Sequence, residues 1–94
     1  MPRMNKLSPY ATTINGRDGK TLITYHSTVI VEFDDKTITL RTGGWDSVTT
    51  RRKMNQAANQ FGLPFGVHRE KGESYVWVHN SRRIPLVDGM TLPR

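Results

Sequence analysis

The sequence predicts an α+β fold: an antiparallel sheet of five to seven short strands, ordered meander–helix–meander, with one α-helix packed on it. Three observations lead there. A single stretch, GGWDSVTTRRKMNQAANQFGLP over residues 43–64, has the apolar spacing, the start and the stop of a helix. The segments on either side alternate apolar and polar residues in short runs separated by Gly, Asn and Asp. No repeat, low-complexity tract or linker divides the 94 residues, so residues 10–94 read as one domain. Residues 1–9 read as a basic arm, with Pro2, Pro9, Arg3 and Lys6 and few apolar groups.

Taken in order, Tyr10 to Ile14 and Thr21 to Ser27 read as two strands around the turn residues Asn15-Gly16-Arg17-Asp18-Gly19. Thr28 to Phe33 is β-branched and alternates, with Val29, Val31 and Phe33 on one face and Ile30 and Glu32 on the other. Asp34-Asp35-Lys36 turns the chain into Thr37 to Arg41, a half-exposed strand with Ile38 and Leu40 inward. Gly43-Gly44 ends the sheet and delivers Trp45, read as an anchor at the strand–helix junction.

In the helix, Met54, Ala57, Ala58 and Phe61 follow the i, i+3, i+4, i+7 spacing of one apolar face. Thr49, Arg52, Gln56, Asn59 and Gln60 fall opposite. Asp46 or Ser47 can cap the first turn, Gly62 can take the left-handed position after the last turn, and Pro64 blocks continuation. Three more strands follow: Phe65 to Glu70, Glu73 to His79, and Arg82 to Val87, where Pro85 suggests a sheet edge. Met90 to Leu92 reads as a last short strand. Val29, Val31, Phe33, Ile38 and Leu40 are expected to face the helix, beside Val76 and Val78.

Composition narrows the function. A chain of this size buries roughly 60–65% of its unfolded surface, enough for one modest core but little room for a deep cleft. No cysteine is present, so neither a disulfide framework nor a thiolate metal site is available. No apolar run approaches the ~20 residues of a membrane span, and the N-terminus lacks the apolar core of a signal peptide. The expectation is an intracellular protein with no membrane partner.

The net charge is +6, unevenly spread. Residues 1–50 carry six Lys/Arg and five Asp/Glu; residues 51–94 carry eight and three. Such an excess on the helix and the segments after it suits a polyanion, although basic composition also serves solubility alone.

Two surfaces could meet that partner. On the helix, Arg51, Arg52 and Lys53 can donate to phosphates, and Asn55, Gln56, Asn59 and Gln60 can bond base edges. The plain alternative is a solvated helix face. On the strand Tyr75-Val76-Trp77-Val78-His79, alternation puts Tyr75, Trp77 and His79 on one side and the valines on the other. If the valines face the helix, the aromatic side becomes a stacking platform, with His68 beside it and Arg69, Arg82 and Arg83 flanking it. If the rings face inward they are core, and alternation does not choose between the two.

Catalytic chemistry finds no support. His26, His68 and His79 lack metal-ligand spacing, and no Ser sits in a nucleophile-elbow context. Asp34-Asp35 is turn chemistry, and Gly43-Gly44 lacks the lysine of a phosphate loop. The expectation is a non-enzyme with no catalytic residue, no metal and no cofactor.

The segment GGWDSVTTRRKMNQAANQFGL, with TYHSTVIVEF and the closing DGMTLPR, resembles a family of small uncharacterised accessory proteins of tailed bacteriophages. The resemblance covers most of the chain and carries over no site residues. It implies a phage accessory protein acting in the bacterial host cytoplasm. The expected function is then a small basic nucleic-acid-binding module, for DNA or RNA. The alternative is an inhibitor or regulator that binds an acidic host protein.

Overall fold

The computed structural model describes residues 12–44, 47–78 and 83–94. The expected arm over residues 1–9, the start of the first strand, the Trp45 anchor, Asp46, His79, the Asn80-Ser81 turn and Arg82 lie outside the described residues.

The first meander consists of β1 (Thr12–Arg17), β2 (Lys20–Tyr25), β3 (Thr28–Phe33) and β4 (Thr37–Leu40). The helix α1 (Val48–Phe61) follows, then β5 (Phe65–Glu70), β6 (Glu73–Val78) and β7 (Arg83–Pro85). The last strand, β8 (Met90–Pro93), returns to pair antiparallel with β4, setting Leu92 opposite Ile38. The α+β architecture is therefore the expected one, with a five-stranded antiparallel sheet in the order β1-β2-β3-β4-β8. The strands after the helix form a three-stranded antiparallel sheet of their own, β5-β6-β7, with Pro85 on its edge strand as the sequence suggested. The helix packs against β5 of the smaller sheet and β3 of the larger, so one core joins both.

Turn chemistry sets the registers. Asp18 and Gly19 both take positive φ (53° and 79°), the two-residue turn whose twist matches a hairpin. The five-residue loop expected there shrinks accordingly, and Asn15 and Gly16 become strand residues opposite Leu22 and Thr21. Lys71 and Gly72 (52° and 83°) make the same turn between β5 and β6. At the β3–β4 turn the Asp34 carboxylate accepts from the N–H groups of Lys36 and Thr37, each at 2.8 Å.

One bulge changes the core. Ile23 pairs with Val31 but Thr24 pairs with Val29, leaving Ile30 as an extra residue on β3. A bulge rotates neighbouring side chains toward the same side. Ile30 and Val31 are both buried, whereas Val29, expected in the core, is half-buried. Phe33, Ile38 and Leu40 face inward as expected, joined by Met54, Ala57, Ala58, Val67, Val76 and Leu92.

Glu32 gives the larger sheet an acid-sensitive contact. Its carboxylate accepts from Arg41 Nη1 at 2.9 Å and from Lys20 Nζ at 3.3 Å. The Arg41 hydrogen bond outweighs burial and holds the Glu32 carboxyl below its ordinary value. A carboxylate with a lowered folded-state pKa stabilises the fold above its unfolded value, and that stability is lost as pH falls through the folded value. Glu32→Gln should therefore lose less stability than wild type between about pH 6 and about pH 3, the difference being up to about 1 kcal/mol for a solvent-screened pair. Denaturant midpoints at the two pH values check this; equal losses in both proteins would remove Glu32 from the account.

Candidate nucleic-acid interface

The helix is held at both ends by its own residues. Ser47 is the N-cap, its Oγ accepting from the Thr50 N–H at 3.1 Å. Gly62 takes the left-handed conformation (φ 66°) after the last turn, and the Leu63 N–H returns to the Ala58 carbonyl at 2.9 Å. These caps fix which side chains face which sheet. Met54, Ala57 and Ala58 enter the core.

Burial extends well past that apolar stripe, and this corrects three expected contacts. Arg51 is 7% exposed, Lys53 2% and Gln56 4%. The cause is β-structure on two sides: Arg51 meets the smaller sheet and Lys53 the larger, so the helix keeps only a narrow outer arc. The Arg51 guanidinium donates to Ser74 Oγ on β6 at 3.4 Å. The Lys53 ammonium lies over the Tyr25 ring at 5.3 Å, and burial holds it below the usual lysine range. Their long stems fill the flanks of the core, which is how such residues become buried. The exposed arc is Val48, Thr49, Arg52, Asn59 and Gln60. No carboxylate among the described residues pairs with Arg52.

Asn55 has a structural task. Its Nδ2 donates to the Val67 carbonyl at 2.8 Å and its Oδ1 accepts from the Val67 N–H at 2.7 Å. The side-chain amide thus occupies the edge of β5 that no strand among the described residues covers, as a neighbouring peptide would. It is spent on the fold rather than offered to a base edge. Beside it, Val48, Arg51, Arg52, Asn55, Gln56, Asn59 and Val67 line an open cleft of about 390 Å³, with no acidic side chain among these described residues.

The smaller sheet settles the question that alternation left open. Val67 and Val76 face the helix and are buried, so Tyr75 and Trp77 face outward. His68, opposite Tyr75 in register, stacks between the two rings: 5.7 Å and 28° to Tyr75, 5.8 Å and 26° to Trp77. This position leaves His68 Nδ1 buried with no hydrogen-bond partner among the described residues. Arg83 lies across the Tyr75 ring, its guanidinium carbon 4.4 Å from the centroid, and pairs with Glu70. Tyr75 is therefore covered and the Arg83 charge is balanced. Trp77 remains open, 48% exposed.

The expected interface residues are thus divided. Arg52 and Asn59 sit on the outer arc, Trp77 on the open face of the smaller sheet, and Arg69 at its hairpin end, donating to the Gly72 carbonyl at 3.3 Å. Arg83 is exposed but engaged. Sequence reasoning missed Gly66, which lies opposite Trp77 in register and lines a pocket with it. The signal was a glycine within an otherwise regular strand. Among the described residues no cluster of His, Asp and Glu could hold a metal ion. Nor is any helix there long and apolar enough to cross a membrane.

The comparisons decide the family. The Kyanoviridae Gp96 protein family matches residues 3–93, nearly the whole chain. The chain belongs to this phage protein family. The Kyanoviridae Gp96 match includes α1, both sheets and the cleft between α1 and β5. No curated protein and no solved structure matches the chain.

Proposed function

We propose that this phage protein is a small, non-enzymatic nucleic-acid-binding module of the host cytoplasm, working through the outer face of β5-β6-β7 and the adjoining cleft rather than through a groove-docking helix. The observation that carries the reading is the inward turn of Val67 and Val76. It leaves Trp77 open on the surface, on the same strand pair whose edge adjoins a cleft carrying Arg52, with no acidic side chain among its described lining residues. An open indole supplies a stacking surface that every base can use, and the arginine supplies phosphate contact. The net charge of +6 favours the same partner.

Titration against short DNA and RNA at about 50 and about 200 mM salt tests it, because phosphate-driven binding changes by orders of magnitude over that range. Arg52→Ala should weaken all sequences alike and lower the salt slope by about one unit. Trp77→Ala should weaken binding about 5- to 150-fold with the slope unchanged, since stacking releases no counterion. If wild type binds no nucleic acid at the lower salt, the reading fails. An acidic host protein whose capture is lost in Arg52→Ala then takes its place.

A further inference from the structure

Resting on the nucleic-acid reading above, we infer that the uncovered side of Trp77, above Gly66, is a slot for one unpaired base of a single-stranded nucleic acid. The strand carrying that base crosses the edge of β5 into the Arg52 cleft.

The register builds the slot. Gly66 lies directly opposite Trp77, and His68 occupies the other side of the indole. A larger residue at position 66 would project from the same face as Trp77, because directly opposed residues in an antiparallel pair share a face. Glycine leaves that space empty. The resulting pocket, about 270 Å³, is lined by Leu63, Pro64, Phe65, Gly66, Trp77 and Val78. It lies just under the ~300 Å³ at which small-ligand pockets begin, so it suits one ring system rather than a whole nucleotide. Among the described residues its wall holds no charged side chain, as a base face requires and a phosphate would not.

The phosphates go next door. Gly66 lines the slot and its neighbour Val67 lines the cleft; successive strand residues point to opposite faces, so the two sites lie on either side of β5 and meet over its edge. A strand leaving the slot over that edge meets the cleft that carries Arg52, with no carboxylate among its described lining residues. This arrangement selects the single strand. A base within a duplex has both faces covered by its neighbours and reaches an aromatic ring only by being flipped out, at a cost of a few kcal/mol. The plain alternative is that Trp77 leans over a strand glycine merely to shield the backbone. That role needs no arginine-bearing cleft at the same strand edge.

Gly66→Val separates the two. A Cβ at Gly66 meets only Asn55 Oδ1, at 3.7 Å, and no left-handed φ is required there. The variant should fold and melt no lower than wild type, since a β-branched residue suits a strand. Three labelled probes of equal length are titrated by fluorescence anisotropy at about 50 mM salt: a single strand, the same strand with abasic sites throughout, and a duplex. Wild type should prefer the base-bearing single strand over both others by about 5- to 150-fold, the range for stacking one base. Gly66→Val should bind the base-bearing strand no better than the abasic one, while its abasic affinity and salt slope stay at wild-type values. If wild type binds the first two probes equally, or if folded Gly66→Val keeps the preference, the slot is wrong and the broader reading stands on its phosphate contacts. If no probe binds at all, the broader reading falls with it.

Discussion

Met54→Asp is expected to leave the chain without a cooperative melting transition. Met54 is fully buried within the core that joins both sheets to the helix. Removing its side chain alone would cost about 2–5 kcal/mol. An aspartate placed there must either remain charged in an apolar setting or take up a proton, and each adds several kcal/mol. A 94-residue domain holds only about 5–14 kcal/mol in total. The sum therefore reaches the stability of the whole fold. Asn59→Asp, on the exposed arc one turn away, is the control and should melt close to wild type. Far-UV circular dichroism on heating reads both. A cooperative melt of Met54→Asp near the wild-type temperature would mean that the helix faces are assigned backwards.

Asn55→Ala should be the next most damaging change, lowering stability by about 2–4 kcal/mol. The substitution favours the helix by propensity, since alanine outranks asparagine by up to ~0.7 kcal/mol. Against that small gain stand two hydrogen bonds to the edge of β5, both part-buried. Losing the partner of a buried donor or acceptor costs about 1–3 kcal/mol each, because the orphaned group keeps its desolvation penalty. Asn55→Asp gives a finer reading. Its carboxylate can still accept from the Val67 N–H but cannot donate to the Val67 carbonyl, so the loss should be intermediate or larger. Urea denaturation measures all three proteins. An Asn55→Ala midpoint at or above wild type would show that water satisfies the strand edge.

These two residues also mark how far the sequence could be read. Met54 belongs to a periodic stripe, and Ser47 and Gly62 act through neighbours a few positions away, so local rules sufficed. Asn55 acts on Val67, twelve positions on, and nothing in its surroundings announces an uncovered strand edge. Arg51 and Lys53 looked outward because charge was weighed and stem length was not. Their methylenes line the flanks of a helix enclosed by two sheets. That enclosure depends on the strands after the helix forming a sheet of their own while β8 returns to the first, a non-local choice that strand patterns do not express. Alternation showed that Trp77 and Val76 face opposite ways. Only the position of the helix showed which way is out. The bulge at Ile30 was hidden for a related reason, since an extra residue is defined by its partner strand.

The return of β8 to β4 also governs the order of events in folding. Leu40 meets Met90, and the loop between them contains α1 and all of the second sheet. Hairpins such as β1–β2 and β5–β6 close over two-residue turns and can form within microseconds. The β4–β8 pair must first bear the loop-closure entropy of that long segment, which grows with the logarithm of its length. Folding α1 and the β5–β6 hairpin beforehand shortens the effective loop and draws the two strands together. Of the two outer strands of the first sheet, β8 is thus expected to arrive last, so that topology rather than the strength of any single contact sets the rate at which the molecule becomes complete.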